Sequence, residues 1–209
     1  MTLPNSEIDY FTVFTLPRKL HIDTASLETA FYAQSRKLHP DRFASKPAAE
    51  QEAALAQSSR LNDAYRTLKD PIARTQYLLT QEGIELEEQS KAATEAARTS
   101  GTQKKQIVPP ELLEEVFELN MQLQEMRAAK KMGEDEPELR RDLLTAKDTF
   151  DAKMVETQDE LEALWTAWDT ALDSNNIAAQ MAARDAMVTL LNKRSYLRNL
   201  VRDVNEALD

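Results

Sequence analysis

With 209 residues, 42% of them hydrophobic and 30% charged, the chain has the size of one large or two small soluble domains. Its 3 glycines, and the scarcity of Val and Ile beside Ala, Leu, Glu and Gln, favour helices over sheets. The absence of cysteine removes disulfides, thiolate nucleophiles and thiolate metal sites, and no apolar run approaches the roughly 18 residues that cross a bilayer.

Residues 1–10 have neither the basic-then-apolar pattern of a secretion signal nor the Arg-rich, acid-poor character of a transit peptide. The expected location is the cytoplasm, with the mitochondrial matrix as the alternative. The net charge of -10 is uneven: residues 1–80 carry 10 Lys/Arg against 9 Asp/Glu, residues 81–209 carry 16 against 27. Neither part clusters positive charge as a phosphate backbone requires, so neither nucleic acid nor a membrane is an expected partner. The asymmetry points to two regions with different partners.

In chain order, Tyr10, Phe11 and Phe14 form a short apolar cluster closed by Leu16-Pro17. Asp23 can cap a helix whose face carries Leu27, Phe31 and Leu38. Arg36 and Lys37 fall at its C-terminal end, where the macrodipole favours cations. Pro40 disfavours helical geometry at His39 and so ends the element. After a loop from Arg42 to Pro47, the spacing of Ala54, Ser58, Leu61, Tyr65 and Leu68 predicts a helix over 48–69, with a heptad-like seam suited to an antiparallel partner across the loop. Asp70-Pro71 reads as the cap and first-turn proline of a further helix, which Gly83 can stop.

Residues 88–107 lack an apolar stripe and read as a linker between residues 1–87 and 108–209. In the second region, helices are predicted over 110–131, over 137–173 and from Ile177 onward, with turns at Gly133 to Pro137 and Ser174 to Asn176. Leu139, Leu143, Phe150, Leu161 and Trp168 share one face of the middle helix. Three helices joined by short turns pack as an antiparallel bundle. The predicted class is all-α: an N-terminal helical hairpin followed by a C-terminal antiparallel three-helix bundle.

The chemistry-bearing residues are few. His39-Pro40-Asp41 lies in the turn between two amphipathic helices, and the second of these ends in Leu61-Asn62-Asp63-Ala64-Tyr65-Arg66-Thr67-Leu68-Lys69-Asp70-Pro71. The hairpin, its signature loop and the Asn-x-Ala-Tyr-x-x-Leu-x-Asp-Pro segment resemble a J domain. The resemblance implies that the chain stimulates ATP hydrolysis by a partner 70-kDa heat-shock chaperone. His39, Pro40 and Asp41 would be the triggering contacts, and Arg36, Lys37 and Arg42 would supply charge for docking. The catalysis would then lie in the partner. No catalytic site, no cofactor and no metal site is expected in this chain, which has no spaced His/Asp/Glu set.

On a 100° wheel over 110–131, Leu112, Val116, Leu119, Leu123 and Met126 form a compact core face, while Leu113, Phe117 and Met121 form a second apolar stripe. A bundle helix needs one buried stripe. The second is either a partner-binding surface or a cover for the first domain or the neighbouring helices, and the pattern leaves both open. A J domain followed by an acidic helical bundle resembles the HscB/Jac-type co-chaperones of iron–sulfur cluster biogenesis, and Arg74, Gln76-Tyr77 and Leu78 fit as well. That resemblance implies that the bundle binds an IscU-type scaffold through Leu112, Leu113, Phe117, Glu118 and Tyr196. Met121 stands where the family often has an acid. The chaperone partner would be of the HscA/DnaK type. Trp165 and Trp168 read as core residues, and His21 as a loop histidine with no role.

Overall fold

A computed structural model describes residues 9–84 and 108–209. Among these residues the secondary structure is all helical, without strands. The linker expected over 88–107 lies outside the described residues. None of the described helices is long and apolar enough to cross a membrane.

The chain divides into two compact units that are not consecutive in sequence: Met1–Ile84 with Trp165–Ala183, and Glu85–Leu164 with Arg184–Asp209. This differs from a division at 88–107 alone. The end of the long bundle helix and the start of the last helix group with the N-terminal residues.

In the first unit, α1 (Tyr10–Val13) is capped by Asp9, whose carboxylate accepts from the Phe11 N–H at 3.1 Å. Asp23 caps α2 (Thr24–Lys37) by accepting from Ala25 and Ser26. Asp70 caps α4 (Pro71–Gln81) by accepting from Ala73 at 2.7 Å, beside a proline whose missing N–H is not needed there. α3 (Ala48–Lys69) buries Ala54, Leu61, Ala64 and Leu68, and α1, α2 and α4 all pack on it. The stacked rings of Phe31 and Tyr65, 4.1 Å between centroids, join α2 to α3. Gly83 ends α4 at φ 79°, a conformation that costs a Cβ-bearing residue more.

The long helix α6 spans Pro137–Asp173, and its last residues complete this unit. Trp165 and Trp168 are 4% and 2% exposed. The Trp165 indole N–H donates to Thr75 Oγ1 at 2.9 Å and that of Trp168 to the Arg18 carbonyl at 3.0 Å. Asp169 accepts from the backbone N–H groups of Leu20 and His21, at 2.8 and 3.0 Å, and lies 3.0 Å from His21 Nδ1. His21 therefore has a partner after all. Arg74, 4% exposed, donates to the Leu68 carbonyl and lies over the Trp165 ring at 5.1 Å. Burial works against its charge, and Asp169 and then Asp70 act the other way.

The second unit holds α5 (Leu113–Met132), α6 up to Leu164, and α7 (Ile177–Leu208) from Arg184. Its core joins Leu119 and Leu123 of α5 to Leu143 and Phe150 of α6 and Leu197 and Val204 of α7. Arg140, early in α6, donates to the carbonyl of Leu208 at the end of α7, as antiparallel neighbours require. Lys153 bridges Glu115 across α6 and α5 at 2.9 Å. The chain enters α5 through a 3-10 turn over Pro110–Leu112, so the α-helix begins later than the periodicity predicts. Gly133, at φ 73°, closes α5. Asn175 at φ 50° and the Asn176 cap on Ala179 reverse the chain between α6 and α7.

Candidate functional site

The first candidate site is the loop between α2 and α3. The residue before a proline is pushed out of the α region, and His39 sits at φ -61°, ψ 135° accordingly. Pro40–Arg42 then make one 3-10 turn. His39 caps that turn with its own ring: Nδ1 accepts from the Asp41 N–H at 3.4 Å. The Asp41 carboxylate lies 3.4 Å from the same nitrogen. Both side chains are open to solvent, at 59% for His39 and 90% for Asp41. Arg36, Lys37 and Arg42 are also exposed, and among the described residues none of them makes an ion pair. The loop and the last turn of α2 thus present a histidine, a carboxylate and the cations Arg36, Lys37 and Arg42 to solvent. Their exposed positive charge suits docking against an acidic surface.

The base of this unit is closed by aromatic and acidic groups near α1. Tyr77 stacks on Tyr10 at 4.4 Å. Its hydroxyl accepts from the Tyr10 N–H at 2.9 Å and donates to Asp9 Oδ1 at 3.2 Å. Burial, with Asp9 adding to it, pushes the Tyr77 phenol up to about 12. Arg18 pairs with Asp9 at 2.7 Å.

The second candidate site is the outer face of α5. Leu113, Phe117 and Met121 are 55%, 68% and 59% exposed. They recur every four residues, so they line one side of the helix, and Glu118 lies exposed beside them. Among the described residues they stay largely open to solvent. Leu112 does not belong to that surface. It is 1% exposed and sits in the core, because the turn over Pro110–Leu112 delivers it inward before the α-helix begins. Tyr196 is half-buried against the same core, and burial followed by Asp203 raises its phenol. No group of three or more potential metal ligands occurs among the described residues.

Sequence reasoning missed His21 and Asp169. A signal was available: Asp169 follows Trp165 by four positions and Trp168 by one, on a face that is otherwise apolar. An acid there needs buried donors, and the Leu20 and His21 amides supply them.

Residues 9–77 match the family model of the DnaJ domain. Over 95% of its length the chain is similar to the chaperone HscB from Vibrio cholerae, at 24% identity and a TM-score of 0.53, covering 96% of that chain. Over 98% of its length it is similar to human co-chaperone protein HscB, at 23% identity and a TM-score of 0.59, covering 84% of that chain. At these identities the likeness to the two structures is one of fold. With its exposed His39-Pro40-Asp41 turn on an α2–α3 hairpin, residues 9–77 are a J domain of the DnaJ family, carried on an all-α chain that shares the HscB fold.

Proposed function

We propose that this chain is a co-chaperone of iron–sulfur cluster assembly. Its J domain recruits a 70-kDa chaperone of the HscA/DnaK type and triggers that partner's ATPase through His39, Pro40 and Asp41. Its second unit binds an IscU-type scaffold protein and delivers it to the chaperone. The observation that carries this reading is the pairing, in one chain, of the solvent-exposed trigger loop with the unpartnered apolar stripe of Leu113, Phe117 and Met121. One molecule that holds both partners converts their meeting into an intramolecular event and raises their effective concentration. Leu113, Phe117 and Met121 would supply the apolar contact and Glu118 a rim charge, with Tyr196 contributing from α7. Leu112 would act by holding the first turn of α5 in place. The cytoplasm is the proposed location, with the mitochondrial matrix as the alternative.

Calorimetric titration with an IscU-type scaffold from the same organism tests the client. Saturable micromolar binding is expected. No binding at high concentration would leave the J domain standing and assign the second unit to another client.

A further inference from the structure

The loop that carries His39-Pro40-Asp41 is exposed almost throughout, with Phe43 partly buried, and its turn over Pro40–Arg42 touches α3. Hydrogen bonds define its turns. The Arg42 N–H donates to the His39 carbonyl at 3.0 Å, that of Phe43 to Pro40 at 2.9 Å and that of Lys46 to Phe43 at 2.9 Å. Each of these bonds spans three residues, and together they make the loop an unbroken series of turns from His39 to Lys46. The series then has to be held against α3. Pro47, at the N-cap of α3, makes no side-chain capping bond. Gln51 does the tying instead. Its backbone N–H is already committed to the Pro47 carbonyl at 3.1 Å, so its main chain belongs to the helix. Its side-chain amide reaches back over the first turn and donates to the Lys46 carbonyl at 2.9 Å and to the Ala44 carbonyl at 3.5 Å. The amide nitrogen of one side chain thus serves two carbonyls of the loop, that of Lys46 closely and that of Ala44 at longer range. Gln51 is itself exposed, so burial does not account for its placement.

We propose that Gln51 is a positioning residue for the trigger: by donating to the carbonyls of Ala44 and Lys46 it fixes the loop to α3, so that His39 and Asp41 meet the chaperone in a preformed turn. The inference rests on the J-domain trigger reading above. A preformed loop loses less freedom on docking, so its benefit falls on the strength of the encounter. Once the complex has formed, the loop is ordered in any case and the trigger acts as before.

The test is ATPase stimulation of a 70-kDa chaperone, titrated with the full chain in three forms: wild type, Gln51→Met and Gln51→Lys. Methionine keeps the length and removes the donors; lysine keeps donors that both carbonyls can accept. Gln51→Met is expected to raise the half-saturating concentration by about 3- to 10-fold, the factor that one or two ordinary hydrogen bonds represent, with maximal stimulation unchanged. Gln51→Lys should restore most of the loss. Amide hydrogen exchange at Arg42, Phe43 and Lys46 should accelerate in Gln51→Met alone, with the α3 amides beyond the first turn unaffected. Wild-type half-saturation in Gln51→Met, or equal impairment of Gln51→Met and Gln51→Lys, would overturn the proposal. Wild-type chain that stimulates no such chaperone would remove the trigger reading, and the positioning role with it.

Discussion

The loop between α2 and α3 and the outer stripe of α5 are both exposed, and they work by opposite physics. The loop offers a histidine and a carboxylate on a series of turns, beside the cations Arg36 and Lys37 at the end of α2 and its own Arg42, and its 3-10 turn buries no side chain. Its chemistry lies in where donors and charges are held. The α5 stripe offers apolar area on a regular helix, at positions whose exposure ranges from 55% to 68%. In the proposed contact with a scaffold, its contribution would be the water that leaves. A surface of the first kind is sensitive to a single atom, whereas one of the second kind tolerates exchange of one apolar residue for another of similar size. The comparison also separates two kinds of legibility. The loop is visible as a three-letter motif, and the stripe only as a surplus of apolar residues beyond what one buried face requires.

The sharpest break in the comparison is a crossed pair of variants. His39→Gln should abolish ATPase stimulation while leaving scaffold binding at the wild-type level. Leu113→Ala with Phe117→Ala should weaken scaffold binding by about 10-fold or more and leave stimulation in the absence of scaffold intact. Loss of both activities in either variant would mean that the two surfaces are not independent. Within α5, Leu119→Ala should cost about 2–5 kcal/mol, because Leu119 is 1% exposed in the core. Phe117→Ala should change stability by less than about 0.5 kcal/mol. Thermal melts of the two variants decide whether the stripe is surface or core.

A smaller effect tests the closure of the first unit. Asp169→Ala leaves the Leu20 and His21 amides without their acceptor, and Leu20 is fully buried. A loss on the order of 2 kcal/mol is expected. Tryptophan fluorescence should report it, since Trp165 and Trp168 flank the site. The smallest effect concerns Tyr77. Its phenol is raised to about 12 in the folded chain, above the ordinary value of 10.0, so it stays neutral where an unfolded tyrosine ionises. Its stabilising contribution is therefore complete below pH 10 and is lost between about pH 10 and pH 12. Melting temperature should fall more steeply across that window in the wild type than in Tyr77→Phe.

Much of this molecule is legible in the chain because the relevant interactions are local. Asp23 and Asp70 cap within three residues, Gly83 and Gly133 end helices with their own backbone, and the seam of α3 repeats within one helix. What escapes is long-range or sub-helical. The Asp169–His21 contact joins residues 148 positions apart, and neither flanking sequence mentions the other. Leu112 lies on the core side of an ideal wheel, yet family resemblance counts it among the binding residues. The 3-10 turn over Pro110–Leu112 settles its place as core. The Gln51 bridge is invisible because a glutamine in the first turn of a helix carries no motif of its own.

The reach of Asp169 into the N-terminal residues has a consequence for how this J domain could be exchanged. A J domain bounded by the family match would be a cassette, transferable between proteins with its function intact. Here the Leu20 and His21 amides, the Arg18 carbonyl and the Thr75 hydroxyl all find their partners on a helix more than eighty residues downstream. A chimaera that grafts residues 1–87 onto a foreign body would carry two donors without their acceptor, two acceptors without their donors and an uncovered apolar floor. A recipient that brings its own tryptophans and acid at the matching turns of a helix would accept the graft at the least cost.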